Sequence, residues 1–218
     1  MLMMDVVEVG LLMSNSYVVF DPDLREAIII DAGDEADKIL RMIEKNDVKV
    51  KAIYATHGHF DHVLAVREVK EQLGCKFYIH REDLPLLERA SESYMKLFGE
   101  ERLGPPAPDG YVSEGDIIKI GDYEMKVIHT PGHTSGSGCY VIEGAVFTGD
   151  TLFAGSIGRT DLPGGNLQML IDSLTRKLLS LPEDYSVFPG HGPSTTIGIE
   201  KLYNPFIGIG GLYREKHL

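Results

Sequence analysis

The segment Thr56-His57-Gly58-His59-Phe60-Asp61-His62 packs three of the chain's eight histidines and an aspartate into one short stretch. Neutral imidazole nitrogens and carboxylate oxygens are natural ligands for zinc and similar divalent ions. Clustered polar rings are costly to bury unpaired, so core packing alone does not account for the segment. Gly58 lets the backbone turn tightly between two donors. The spacing divides the labour: His57 and His59 reach one ion from a bent loop, while Asp61 and His62 turn towards a second.

Three further segments repeat the theme. Each follows an apolar run and is rich in small residues: Thr130-Pro131-Gly132-His133-Thr134-Ser135-Gly136, Phe147-Thr148-Gly149-Asp150-Thr151-Leu152-Phe153 and Phe188-Pro189-Gly190-His191-Gly192-Pro193. Taken singly, a loop histidine is commonly structural and a turn aspartate commonly a cap. Four strand-end loops that all deliver ligand types are a stronger coincidence. Asp150 has two oxygens, one for each of two cations. Thr134 and Ser135 read as turn or supporting groups, because no Ser-centred GxSxG elbow is present. His80 ends an apolar run near the first cluster, His129 reads as structural, and His217 sits in the terminal stretch with no partner motif.

These loops need rigid elements behind them. Tyr17 to Phe20 and Ala27 to Ile30 read as strands separated by the turn Asp21-Pro22-Asp23. Asp34 to Asn46 reads as a helix with Ala36, Ile39, Leu40 and Ile43 on one stripe. A strand over Val50 to Ala55 leads into the loop Thr56 to Asp61, then a helix over Val63 to Leu73 and a strand over Lys76 to Ile79. Residues 81–110 differ in character: one or two short helices over Asp83 to Gly99, then the stiff Gly104-Pro105-Pro106-Ala107-Pro108. That stretch reads as a helical insertion able to wall one side of a cleft. Strands return at Ile117 to Ile120, Tyr123 to His129, Gly138 to Ile142 and Ala145 to Thr148, with hairpin signals at Gly121-Asp122 and Glu143-Gly144. A helix over Leu167 to Leu179, a strand over Ser186 to Phe188 and a closing helix over Thr195 to Leu202 complete the reading. So many hairpins fit two packed sheets with outer helices better than one doubly wound parallel sheet.

Composition narrows the function. The 218 residues carry 33 acidic against 21 basic side chains, a formal charge of −12. Such a surface repels phosphate backbones and anionic lipid, so nucleic acid and membranes are not expected partners. A bound cation would still admit a small anionic substrate. Cys75 and Cys139 lie in separate apolar stretches and form no CxxC unit, as expected of thiols buried in strands, and that usage fits a reducing compartment. The opening MLMMDVVEVG has no basic lead and meets Asp5 and Glu8 early, unlike a signal peptide. The expected location is the cytoplasm. The apolar tail from Asn204 to Tyr213 is expected to pack on the domain or on a second subunit, which raises a homodimer.

The series T-H-G-H-F-D-H, P-G-H-T, G-D-T-L-F and P-G-H-G resembles the metallo-beta-lactamase superfamily, in the family's order and across nearly the whole chain. The resemblance implies an α/β fold, an αββα sandwich with metals at one edge of the two sheets, in a single domain over 1–218. It implies that His57, His59 and His133 hold one ion, that Asp61, His62 and His191 hold a second, and that Asp150 bridges them. Asp61 and Asp150 would then act in catalysis as ligands that position a bridging hydroxide. Within the superfamily, Gly149 to Phe153 and Gly158-Arg159 resemble compact glyoxalase II enzymes, the hydroxyacylglutathione hydrolases. That likeness implies hydrolysis of a small-molecule thioester, an S-acyl glutathione such as S-lactoylglutathione, on two zinc ions, with iron or manganese as other candidates and Arg159 as a substrate clamp. The chain is expected to lack the long C-terminal helical domain of the larger members, which leaves the thiol partner open. Two alternatives remain. Arg159-Thr160-Asp161 also resembles persulfide dioxygenases, which use one iron and oxygen, and the same centre could open lactones or beta-lactams.

Overall fold

The computed structural model describes residues 1–213. Three strands, β1 (Met3–Val9), β2 (Ser14–Asp21) and β3 (Glu26–Ile30), open the chain as an antiparallel meander. A helix, α1 (Ala36–Asn46), crosses to β4 (Lys49–Tyr54), which pairs parallel to β3. Two short helices, α2 (Phe60–Val63) and α3 (Val66–Leu73), then lead to β5 (Lys76–His80). A 3₁₀ turn, α4 (Leu84–Glu88) and α5 (Ala90–Phe98) precede β6 (Gly110–Val112). These six strands form one sheet in chain order. Its later members are parallel, as expected where helices make the crossovers.

The second sheet is mostly hairpins. β7 (Ile117–Ile120), β8 (Tyr123–His129), β9 (Gly138–Ile142) and β10 (Ala145–Gly149) run antiparallel in sequence. A small ribbon of β11 (Leu152–Phe153) and β12 (Ser156–Ile157) follows. After α6 (Leu167–Asp172), β13 (Ser186–Pro189) joins parallel to β10, and β14 (Thr195–Thr196) pairs with it before α7 (Ile197–Tyr203). The order is β14-β13-β10-β9-β8-β7.

Alternation along the strands builds four layers. Tyr17, Val19, Ile28 and Ile30 face inward against Ile120, Met125, Tyr140 and Phe147 of the second sheet. Their neighbours Val18, Phe20, Ala27 and Ile29 face outward, where Ile39, Met42, Val66 and Val69 of the helices cover them. Outside the second sheet, Val146 and Val187 pack under Leu170, Leu174 and Ile197. Strands buried on both faces read as continuous apolar runs, which is why Ile28-Ile29-Ile30 stand together. The architecture is the expected αββα sandwich. Among the described residues, no helix is long and apolar enough to cross a membrane.

Several boundaries differ from the sequence reading. The first helix begins at Ala36, and its buried stripe uses Met42 where Leu40 was expected. The expected loop to Asp61 ends earlier, so Asp61 and His62 sit within the single turn of α2, and the helix after it starts at Val66. The helix expected over Leu167 to Leu179 changes character after Asp172, passing through a π turn and a 3₁₀ turn. There the Thr175 hydroxyl donates to the Ile171 carbonyl, competing with the backbone for that acceptor. Thr195 and Thr196 are a strand rather than helix, because Thr196 is the N-cap, accepting from Ile199 N with extended backbone. Cys75 is buried in the turn before β5 rather than within a strand. His217 lies outside the described residues.

Candidate metal centre

Four strand ends meet at one edge of the sandwich. Gly138 N donates to Thr56 O (2.8 Å), Gly190 N to Gly149 O (2.8 Å) and Asn15 N to Gly190 O (2.7 Å). These bonds join the loop after β4 to the loop after β8, and the loop after β13 to the end of β10 and to β2. The seven expected ligands converge there. His59 Nδ1 lies 3.0 Å from His133 Nε2. His191 Nε2 lies 3.1 Å from Asp61 Oδ2 and 3.3 Å from His62 Nε2. Their donor atoms fall into the sets His57–His59–His133 and Asp61–His62–His191, with Asp150 close to both. Its Oδ1 is 3.4 Å from His62 Nε2, and its Oδ2 is 3.6 Å from both His133 Nε2 and His191 Nε2.

The outward nitrogens of four rings are already committed. His62 Nδ1 donates to Asp31 Oδ2 (2.8 Å), His133 Nδ1 to Arg159 O (2.8 Å) and His191 Nδ1 to Leu12 O (3.1 Å). His57 Nδ1 lies 3.0 Å from Thr56 Oγ1, which itself donates to Asp31 Oδ2 (2.7 Å). In this hydrogen-bond network each of these rings turns its Nε2 inward, the arrangement that orients imidazole towards a metal. Asp31, at the end of β3 with φ of 58°, therefore positions two ligands at once. Asp83, fully buried, ties the histidine loops together by accepting from Gly58 N (2.8 Å), Gly136 N (2.6 Å) and Thr134 Oγ1 (2.7 Å). Sequence reading missed both. Asp31 carried a faint signal, a carboxylate ending a buried parallel strand; Asp83 carried none.

The donor set suits divalent cations. His57 Nε2 and Asp150 Oδ1 are buried without a hydrogen-bond partner, and leaving such atoms unmatched costs about 1–3 kcal/mol each. Burial holds the His57 imidazole well below its ordinary pKa, with His62 and His133 adding to the effect. Burial and His133 push His59 down to about 4. Both rings are thus neutral and offer lone pairs. His62 goes the other way: burial would lower it, but Asp61, Asp150 and Asp31 together hold its pKa well above the usual value. Burial would raise Asp61 and Asp150, yet the surrounding histidines keep both carboxyls low. The carboxylates gather positive charge, and the proton on His62 occupies a role that a cation fills better.

Above the cluster lies a cavity of about 500 Å³, into which His59, Asp61, Asp150 and His191 open. α5 forms one wall, anchored where Phe60 meets Tyr94 and Phe98 edge to face at 5.7 and 6.1 Å. Arg159 stands at the mouth. Its guanidinium is exposed and paired twice with Asp161 (2.8 and 2.7 Å), while its carbonyl is the group that fixes His133. His80 and His129 stand apart from the cluster, stacked on each other at 4.1 Å with planes 11° apart. With Glu82 they bring ligand atoms within 4.8 Å of one another, but His129 Nε2 donates to Ser135 O and His80 Nδ1 accepts from Glu82 N, so this pair is read as packing.

Comparison with known proteins agrees with this geometry. The profile of the metallo-beta-lactamase superfamily matches residues 9–191. The chain is similar to the hydroxyacylglutathione hydrolase GloC of Haemophilus influenzae, 36% identical over 93% of this chain and 97% of that protein. Among solved structures it is similar to the BLEG-1 B3 metallo-beta-lactamase, with TM-score 0.88 and 36% identity over 94% of this chain and 99% of the other. It is similar to TTHA1623 in a di-iron-bound form, with TM-score 0.84 and 40% identity over 93% and 99%. It is also similar to ETHE1 from Myxococcus xanthus, with TM-score 0.79 and 29% identity over 94% and 84%.

Proposed function

The chain belongs to the metallo-beta-lactamase superfamily and is a metal-dependent enzyme of it; from that premise we propose that it is a binuclear hydrolase in which His57, His59 and His133 hold one divalent ion, Asp61, His62 and His191 a second, and Asp150 both. The placing of Asp150 carries this reading, since it reaches both histidine sets: its Oδ1 lies 3.4 Å from His62 Nε2, and its Oδ2 lies 3.6 Å from both His133 Nε2 and His191 Nε2. A pair of such ions supplies an acidified water and an electrophile for a carbonyl oxygen. The side chains do the rest. Asp61 and Asp150 are ligands with fixed charge rather than free bases, and Asp31 and Arg159 O hold ring nitrogens in the tautomer that binds. Zinc is the first choice for a histidine and carboxylate donor set.

The substrate class is an acyl compound, and a thioester of the S-acyl glutathione type, such as S-lactoylglutathione, is the first member to test. Support comes from the near full-length likeness to GloC and from chemistry: a thiol with pKa near 8.5 leaves readily. The relatives support two rivals at least as well. BLEG-1, named as a beta-lactamase, superimposes with TM-score 0.88, which favours lactam or lactone opening on the same ions. The di-iron-bound form of TTHA1623 favours iron in a two-metal centre, while the likeness to ETHE1 keeps the one-iron, persulfide-oxidising alternative in play beside the Arg159-Thr160-Asp161 resemblance.

One panel separates them. Protein loaded with zinc or with iron is assayed on S-lactoylglutathione, a homoserine lactone, a beta-lactam and glutathione persulfide in an oxygen electrode. The thioester reading expects S-lactoylglutathione to have the highest kcat/KM, with no oxygen uptake. Oxygen uptake without thioester turnover, or faster opening of a ring substrate, replaces it.

A further inference from the structure

We propose that Arg89 is the anchor for a carboxylate on the substrate, and that the cavity therefore takes acyl compounds with an anionic outer end. The proposal rests on reading this cavity as the acyl pocket.

Arg89 sits at the junction of α4 and α5, and Arg89, Ser93 and Lys96 follow one another at helical spacing along the face that lines the cavity. Three cations reach the lining: Arg89, Lys96 and Arg159. Two of them are neutralised within the chain. Lys96 Nζ pairs with Glu92 (2.5 Å) and Arg159 with Asp161 (2.7 Å). Among the described residues, the Arg89 guanidinium pairs with no carboxylate. It is the available fork for a bidentate carboxylate contact, a geometry that guanidinium offers and ammonium does not.

The rest of the cavity gives the ligand a direction. Asp61, Asp150 and the histidines close its deep end, where the reacting carbonyl belongs. Phe60, Leu86, Leu97 and Leu162 give the same cavity apolar lining beside Arg89 and the donor cluster. Apolar walls with a few placed polar groups are the usual build of a small-molecule site. A chain of net charge −12 otherwise repels an anion, so an unpaired cation at the rim decides which anionic ligands enter. An extended molecule with an acyl group at one end and a carboxylate at the other matches this polarity.

The test reads equilibrium binding and needs no turnover. Metal-loaded protein is titrated calorimetrically with S-hexylglutathione, a thioether that cannot be hydrolysed, and with its dimethyl ester. Wild type is expected to bind the free acid about tenfold more tightly than the ester, a difference of one charge-assisted contact. Arg89→Ala should bring the acid down to the ester's affinity, Arg89→Lys should keep part of the difference, and Arg41→Ala on the far helix α1 should change nothing. Equal affinity for acid and ester in the wild type, no binding of either, or an unchanged preference in Arg89→Ala overturns the proposal. Arg89-dependent binding without turnover of any acyl substrate would remove the hydrolase reading alone. Turnover with Arg89-independent binding would remove this one alone.

Discussion

Gly190 shows how little room the centre leaves. A Cβ there would lie 2.2 Å from Asp150 Oδ1 and 2.7 Å from His62 Cε1. Gly190→Ala must push Asp150 from its place between the two histidine sets while leaving the sheets intact. The variant should stay folded by circular dichroism yet lose bound metal and most of its activity; a normal metal content by elemental analysis would contradict that. At this scale the sequence is an uneven guide. All seven convergent donors were legible, because histidines and aspartates gathered behind apolar runs have few other uses. Asp31 and Asp83 were not, since a carboxylate that works by holding another side chain or an amide has no fixed spacing from it. Arg159 reads as a clamp; the structure places it in the cavity lining with its guanidinium beside Asp161, and its carbonyl also fixes His133, a use that no sequence pattern announces.

Elements set the distances between those residues. Asp83 precedes α4 and binds the loop after β4 to the loop after β8 through three short hydrogen bonds. Asp83→Ala strands the buried amides of Gly58 and Gly136, while the Thr134 hydroxyl keeps Ser137 Oγ (2.7 Å), at a cost of roughly 3 kcal/mol. Denaturant melts of the metal-free protein should report that loss, and metal affinity should fall about 10–100-fold, as for other groups that orient ligands. A change under 1 kcal/mol, with affinity preserved, would show the loops to be held by other means. The α6 side is built as tightly: Gly132 has φ of 140°, and a Cβ on it would meet Leu170 N at 2.2 Å. Long strands and hairpins were legible from their period of two and their turn residues. β6, β11, β12 and β14 were not, because a strand of two or three residues shows no period and forms only when a longer neighbour offers it an edge.

Across the whole molecule, the centre couples folding to pH and to metal. In the metal-free chain His59 is held at about 4 and His57 below its ordinary 6.5. Below 6.5 the unfolded chain takes up protons that these folded rings refuse, so stability falls as pH drops through that window. His62 and His191 are held above 6.5. Their contribution is complete below 6.5 and is lost as pH rises through their folded values. Metal-free stability should therefore peak near pH 6.5. Saturating metal should displace the His62 proton, flatten the alkaline side and add about 2.7 kcal/mol for each ion bound at a hundredfold excess over its Kd. Urea denaturation from pH 5 to 9, with and without chelator, measures both; a metal-free curve rising steadily to pH 9 would contradict the assignment. The sandwich itself was legible from motif order and hairpin density, whereas the shape of the cavity was not, because α5 closes it through packing on Phe60 that the sequence does not encode locally. The most direct test of the centre is a zinc titration of the stripped protein with bound metal counted by elemental analysis. Wild type should hold two ions per chain, and Asp150→Asn should lose at least one of them. A single ion in the wild type, or two ions undisturbed in Asp150→Asn, would contradict a centre shared through Asp150.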